Sequence, residues 1–214
     1  MSNLTPRARA AELTGRYTKL HGEYKASFTS GLLTAVAAHT SSLGHLFVMR
    51  VPTGETKKAI IRYVNCQFGT TTAMGAQQPM GLALAVHRGA TAVYTGGTAI
   101  DMFTVTNSQK LRANDATTLF AVNNVRIATT DGMTVPATQV IDAHPLVSKQ
   151  FLSPVLGEVA EVTLLDARDD GASALRSSLA LGAQEVLVIK NLFLMGATGV
   201  GRLTVNIEWE EVTL

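Results

Sequence analysis

The residue types that most often perform chemistry in proteins are scattered along this 214-residue chain. Cys66 is the single cysteine, and the five histidines stand apart from one another at His21, His39, His45, His87 and His144. A nucleophilic triad needs a Ser or Cys held beside a histidine, with a carboxylate behind it. No G-x-S-x-G sequence is present to expose such a serine. The sequence therefore predicts a protein that is not an enzyme.

Two short motifs are similar to ligand-binding loops but lack the required spacing. Asp166, Asp169 and Asp170 precede Gly171, whereas a calcium loop places its ligands as D-x-D-x-D-G. The glycine-rich residues 196–201 are not followed by the Lys-Ser/Thr pair and helix of a phosphate loop. Neither an HxH nor an HExxH pair occurs. We interpret both motifs as turns and expect no metal and no cofactor.

Composition favours a protein that works through its surface. Hydrophobic residues make up 46% of the chain, but charged residues only 16%, against a usual share of about 25%. So few charges indicate that much of the surface meets other protein. The net charge of +2 gives no whole-chain reason to expect nucleic acid. No apolar run reaches the roughly 18 residues of a membrane-spanning helix, and no secretory signal is evident, which favours the cytoplasm.

The strand pattern is clearest in the last thirty residues. Residues 185–195 are almost continuously apolar and predict a central strand that is buried on both faces. Residues 203–209 alternate instead, with Leu203, Val205, Ile207 and Trp209 on the dry face. The glycines between the two segments allow a tight reversal. We therefore predict an antiparallel hairpin, with Trp209 in the core.

Other segments add to an all-β pattern. Strands are predicted at residues 45–51, 58–68, 81–88, 102–106, 117–128 and 158–165, while residues 31–42 could be a helix or a strand. The turn at residues 52–55 predicts that the first two pair as a hairpin. His45 and His87 stand at strand ends, where a sheet rim is expected, and Cys66 is expected to be a buried thiol. About eight strands between glycine-rich reversals indicate one β-sandwich or barrel domain over residues 31–214.

The first thirty residues differ from the rest and predict an extended N-terminal arm. Their apolar residues are few, and their cations are Arg7, Arg9, Arg16, Lys19 and Lys25. Such a segment can dock on a neighbouring subunit, fray as a free terminus, or bind nucleic acid. Five dispersed cations argue only weakly for nucleic acid. We assign these five residues to docking on a neighbouring subunit.

Several segments carry a family resemblance. They are Glu185–Glu210, Gly31–Arg50 and the strand that ends at Phe68, with vaguer matches at Gly96–Ala99 and Val105–Ser108. These segments, about half of the chain, resemble structural proteins of tailed-bacteriophage virions in their strand and turn texture. The resemblance implies a jelly-roll-like antiparallel β-sandwich with an extended N-terminal arm. It also implies a decoration, or cement, role on the capsid surface of the virion, which is assembled in the host cytoplasm.

The resemblance also implies partners, namely the major capsid protein and copies of this chain in a trimer or dimer. Three alternatives remain open. The chain could be a tail or neck component, a receptor-binding component, or the coat protein of a single jelly-roll virus. A coat protein would use the basic arm on nucleic acid, which predicts steeply salt-dependent binding.

Overall fold

The computed structural model describes residues 19–34, 36, 44–102, 109–111, 115–120, 123–136, 139–141, 144–168, 178–195 and 198–213. Within these ranges the chain forms fourteen β-strands and no helix. The strands make two antiparallel sheets of seven strands each, packed together. The predicted antiparallel β-sandwich is therefore confirmed.

The first sheet, sheet A, is built on its two longest strands, β4 (Lys58–Thr72) and β14 (Val200–Thr213), which pair along almost their whole length. Its remaining strands are β1 (Lys19–Thr29), β2 (Leu33–Thr34), β7 (Gln109–Lys110), β11 (Val159–Asp166) and β12 (Leu179–Leu181). The order is β11-β4-β14-β1-β7, with β12 also beside β4 and β2 also beside β14.

The second sheet, sheet B, surrounds a short apolar strand, β13 (Val186–Asn191), which is buried along its whole length. Its remaining strands are β3 (His45–Arg50), β5 (Pro79–Arg88), β6 (Thr98–Ile100), β8 (Val125–Ile127), β9 (Val140–Ile141) and β10 (Val147–Leu152). The order is β10-β5-β13-β3-β8-β6, with β9 also beside β5. The central strand predicted for residues 185–195 is confirmed, but it ends earlier, at Asn191.

Both predicted hairpins are wrong. Strands β13 and β14 lie in different sheets, and so do β3 and β4. In each case the chain reverses at the expected turn but crosses to the facing sheet instead of pairing with the strand it has just left. A glycine-containing turn specifies that the chain reverses. Which sheet receives the next strand depends on side-chain packing between the sheets.

The predicted arm is too long. Residues 19–29, assigned to it from the sequence, form β1, which pairs with β14 from Lys19 opposite Thr213 to Thr29 opposite Thr204. Tyr24, Ala26 and Phe28 are buried in the core. The intervening charged residues made this period-two pattern look like a polar segment. The sandwich therefore begins no later than residue 19, and residues 1–18 lie outside the described residues.

The main core fills the space between the sheets and centres on aromatic side chains. Trp209 is only 1% exposed, and its ring stacks on Tyr24 with centroids 5.2 Å apart. Cys66 is fully buried, and burial raises the pKa of its thiol above the ordinary value. The predictions that Trp209 belongs to the core and that Cys66 is a buried thiol are confirmed.

A second, smaller core covers the outer face of sheet B. Val48 and Val188 contribute from the strands, and Tyr94 and Met133 contribute from the connections that lie across them. His45 and His87 are 0% exposed beneath these connections. Their expected location at the sheet rim is therefore wrong, because loops cover the strand ends that the sequence left open.

Several sequence predictions fall on residues that are described only in part. Residues 31–42, left open between helix and strand, include the two-residue strand β2, but residues 35 and 37–43 lie outside the described ranges. Met102 is buried, whereas residues 103–106 of the strand predicted there are not described. Asp166 ends β11 and binds Arg168, and Asp169, Asp170 and Gly171 lie outside the described ranges.

Candidate functional site: an uncharged end of the sandwich

The five residues predicted to dock do not form a basic patch within the described part of the chain. Arg7, Arg9 and Arg16 lie outside the described residues, and Lys19 opens β1 opposite Thr213. The Nζ atom of Lys25 lies 3.4 Å from Oε1 of Glu208 on the neighbouring strand, and its side chain is 54% exposed. Solvent screens such a pair, which therefore contributes little to stability. Lys25 thus belongs to the surface of sheet A.

Two adjacent carboxylates in β14, which sequence analysis did not single out, are buried. The Glu210 carboxylate forms an ion pair with the Arg62 guanidinium on β4, and both residues are at most 5% exposed. The pair joins the two longest strands of the sandwich. Because both charges have left water, each depends on the other for its stabilisation.

The Glu211 carboxylate holds residues 118 and 119 against the core. It accepts hydrogen bonds from Thr118 Oγ1 at 2.5 Å, from the backbone N–H of Leu119 at 3.0 Å and from Trp209 Nε1 at 3.1 Å. Burial is the main cause that raises the pKa of Glu211, and these hydrogen bonds oppose the rise. These hydrogen bonds hold residues 118 and 119 in place, and we call them the Glu211 clamp.

This clamp predicts a pH dependence of stability. The folded chain holds the Glu211 proton to higher pH than the unfolded chain does, because the pKa is raised above its ordinary 4.5. The resulting stabilisation is complete below the unfolded pKa and is lost as the pH rises through the folded pKa. The free energy of unfolding of the wild type, minus that of Glu211→Gln, should fall as the pH increases above 4.5. Urea titrations at several pH values measure this difference, and a difference that rises with pH would contradict the assignment.

A buried chain of polar side chains lies in the second core. Nδ1 of His87 is 2.7 Å from the hydroxyl of Tyr94, which donates to Oε1 of Gln139 at 2.7 Å. The His45 ring meets the His87 ring edge-on, with centroids 5.3 Å apart. Burial raises the pKa of Tyr94 above its ordinary range. Since the histidines and Tyr94 are at most 2% exposed, this hydrogen-bonded set ties the covering loops to sheet B beneath the surface.

An open cavity of about 200 Å³ lies near one side of the sandwich. Its lining comes from β1, β6, β8 and the residues after β1, and consists of Ser27, Phe28, Thr29, Gly31, Thr98, Ile100 and Ile127. This lining offers hydroxyl and apolar contacts but no ionisable side chain for acid–base chemistry. No group of three or more His, Cys, Asp or Glu among the described residues could hold a metal ion. None of the described segments is a helix that could cross a membrane.

Four connections between the sheets start and finish at the same end of the sandwich, after β2, β4, β10 and β13, and the one after β2 is described only at residues 36 and 44. We call this the crossover end and define it by residues 73–78, 153–158, 192–195 and 198–199. Strand pairing supports the placement. Val200 lies opposite Thr72 in sheet A, and Leu152 lies opposite Pro79 in sheet B. Leu32 joins this end because the next residue pairs with Gly201.

The connections at the crossover end are bonded to each other and to the strands. Ser153 donates its backbone N–H to Gln78 O at 2.8 Å, and its Oγ accepts the Gln78 N–H at 3.0 Å. Oγ1 of Thr70 donates to Pro154 O at 2.8 Å. A β-carbon at Gly199 would overlap the Met74 side chain, so the glycine permits this close approach. These contacts hold the end in one shape.

The crossover end combines exposed apolar side chains with almost no charge. The largely exposed apolar residues there are Leu32, Leu152, Val155, Leu156, Val159 and Leu194. Among the described residues of its connections only Glu158 is charged, and the exposed Arg202 lies beside this end on β14, opposite the same residue, Gly69, as Val159. The opposite end differs, because its connections carry Glu55, Lys57, Arg168 and Glu185. Charge depletion around exposed apolar residues is typical of the centre of a protein–protein contact.

Comparisons with known proteins leave the family open. No family model matches the chain, and no curated protein matches it. The crossover end is therefore assigned as the candidate functional site on its geometry and composition alone.

Proposed function

We propose that the chain is a bacteriophage virion structural protein, and specifically a capsid decoration, or cement, protein. In this role it binds the head shell and stabilises it through its β-sandwich and its N-terminal segment. The observation that carries the proposal is the crossover end, where a bonded set of loops presents apolar side chains and few charges. The resemblance of Gly31–Arg50 and Glu185–Glu210 to virion proteins supplies the biological setting.

The physical basis of the role is surface fit repeated by symmetry. A shell protein meets many copies of its partners, so modest individual contacts add up through multivalency. The sandwich suits this use because its charged interior groups are engaged in internal contacts, as Arg62–Glu210 and Glu211 illustrate. The proposed partners are the major capsid protein and copies of this chain, with no cofactor and no membrane.

The N-terminal segment is the second proposed contact. With β1 assigned to the sandwich, the segment available for docking is residues 1–18, which keep Arg7, Arg9 and Arg16. In the proposed role this segment lies across a neighbouring subunit of the shell. Its cations would pair there with carboxylates or with carbonyl oxygens of the neighbour.

Deletion of residues 2–18 tests this contact. The truncated chain should keep the melting temperature of the wild type within a few degrees, because β1 still pairs along its full length with β14. It should lose most of its binding to purified phage heads when the two are sedimented together and the bound chain is quantified. Because β1 is retained in full, loss of head binding at an unchanged melting temperature would come from docking and not from unfolding.

A matched control separates charge from chain length. Replacing Arg7, Arg9 and Arg16 by Gln keeps all 214 residues and should weaken head binding in part. Undiminished occupancy of heads by the truncated chain would refute the docking role. If the labelled chain binds tails or necks and leaves heads bare, a tail or neck role would replace decoration for the same fold.

A further inference from the structure

We propose that His45 and His87 form an acid-sensitive latch: they hold the loops that cover the outer face of sheet B while their rings are neutral, and they release these loops on taking up protons. We call residues 89–97, which join β5 to β6, and residues 128–136, which follow β8, the covering loops. The inference goes beyond the proposed function and does not depend on it, because every contact in it lies within one chain.

Both imidazole rings are enclosed between sheet B and the covering loops. His45 and His87 are 0% exposed, and their ring centroids lie 5.3 Å apart. The ring of Tyr94, from the first covering loop, lies 5.9 Å from the ring of His45. In water an imidazole takes up a proton at about pH 6.5, closer to neutrality than any other side chain. A charge formed in this enclosed space loses its hydration, so protonation favours a conformation in which the rings reach water.

A third basic group, the Lys190 amine, belongs to the same enclosed face. Lys190 lies opposite His45 in the pairing of β13 with β3 and is 2% exposed. Strand alternation places it on the face of Val186 and Val188, which belong to the second core. The ordinary order of titration charges an amine before an imidazole. Protonation of His45 therefore adds a second positive charge beside Lys190, and like charges repel strongly where water is excluded.

The other charged groups on the elements around the rings bind partners of their own or face solvent. They are Arg50 on β3, Arg88 on β5, Arg126 on β8 and Asp131 in the second covering loop, while Asp142 lies outside the described residues. The Arg50 guanidinium donates to the Asn124 side chain at 3.0 Å, and that of Arg126 donates to backbone carbonyl oxygens of the first covering loop. Arg88 and Asp131 are exposed. The acid response is therefore assigned to the two enclosed rings.

The latch is bonded to both covering loops. Nδ1 of His87 lies 2.7 Å from the hydroxyl of Tyr94, which donates to Oε1 of Gln139 at 2.7 Å. The backbone N–H of Met133, in the second covering loop, donates to the carbonyl oxygen of His45 at 2.7 Å. The two loops also exchange a pair of backbone hydrogen bonds with each other. Movement of either histidine toward water therefore disturbs both loops.

The direction of the pH dependence follows from proton linkage. The open form has its imidazoles in water and binds protons below about pH 6.5, whereas the closed form excludes them. Closure is therefore fully favourable above this pH and weakens as the pH falls. The equilibrium constant for opening should rise about tenfold per pH unit for each histidine that is protonated on opening.

Hydrogen exchange of the full chain, followed by mass spectrometry, tests the latch. Between about pH 7.5 and pH 5.0, protection factors in the covering loops should fall by about 30-fold or more, the result for one histidine titrating over about 1.5 pH units. These factors are corrected for the effect of pH on the exchange chemistry itself. Protection in β4 and β14 should stay within about threefold, because the loops open while sheet A stays folded.

The variants separate the latch from other titrating groups. The double variant His45→Gln/His87→Gln should lose most of the fall in protection. Lys190→Met should need a lower pH for the same opening, because it removes the neighbouring positive charge. Two matched controls, His144→Gln at an exposed histidine and Asp142→Asn, change titratable groups outside the latch and should respond like the wild type.

The wild type alone can overturn the proposal, through covering loops whose protection stays constant over this pH range. An undiminished fall in the double variant would also overturn it, as would loss of the response in Asp142→Asn. An equal loss of protection in β4 and β14 would indicate unfolding of the whole sandwich in place of a latch.

Discussion

Replacing Arg62 by leucine should lower the free energy of unfolding by about 3–5 kcal/mol, because it leaves a buried carboxylate without its countercharge. Glu210 is 3% exposed and pairs with Arg62, which is 5% exposed. The two residues lie on β14 and β4, the strands that pair along the greatest length. The lost stabilisation therefore weakens the pairing of β4 with β14 at the centre of sheet A, and the whole sandwich should become less stable.

Denaturant titrations of the wild type, Arg62→Leu, Glu210→Leu and the double variant measure this effect. Each single replacement should be strongly destabilising. The double variant Arg62→Leu/Glu210→Leu should recover most of the loss, since apolar residues of similar size often substitute for a buried ion pair at little cost. Equal destabilisation of the double and single variants would show that the shape of the site, rather than its charge pairing, is what matters.

Replacing Trp209 by alanine should cost about 3–5 kcal/mol, the range for removal of a large buried aromatic side chain. Trp209 stacks on Tyr24 and meets the Phe120 ring edge-on at a centroid distance of 5.9 Å. Its Nε1–H also donates to Glu211 at 3.1 Å. The replacement therefore opens a cavity between the sheets and removes one donor from the Glu211 clamp.

Thermal unfolding provides the measurement, and we expect a drop in melting temperature of about 10 °C for a chain of this length. Trp209→Phe is the matched control, because it keeps an aromatic ring against Tyr24 while it loses the indole N–H and part of the ring volume. Its cost should be less than half that of the alanine variant. If both variants lose equal stability, the hydrogen bond to Glu211 outweighs the packing, and the aromatic cluster is not the centre of the core.

Local sequence patterns predicted the strands well where apolar residues run continuously or alternate regularly. The run at 186–191 and the alternation from Leu203 to Trp209 both correspond to strands of the predicted kind. Strand β1 was missed because Glu23 and Lys25 interrupt its apolar positions. Glu23 is itself 8% exposed, with its backbone N–H donating to Asp115 at 3.0 Å. A contact 92 residues away cannot be read from the local pattern.

The components of the crossover end were visible in the sequence, but their meeting was not. Residues 69–86 and 191–201 contain no Asp, Glu, Lys or Arg, and neither do residues 150–157. These three runs come together only because each belongs to a connection that crosses from one sheet to the other. The sequence predicted turns or loops in these segments. The two turns that it assigned to hairpins, between β3 and β4 and between β13 and β14, connect strands of different sheets.

The sequence by itself determined that this chain folds as antiparallel β-strands around an apolar core, because alternating and continuous apolar runs have few other ways to leave water. Only the tertiary structure decided which strands pair, that His45 and His87 are enclosed, and that the charge-poor connections share one end. The physical reason is that these features depend on contacts between residues far apart in the chain. Pattern and turn chemistry act locally, whereas the choice of sheet is made by packing across the sandwich.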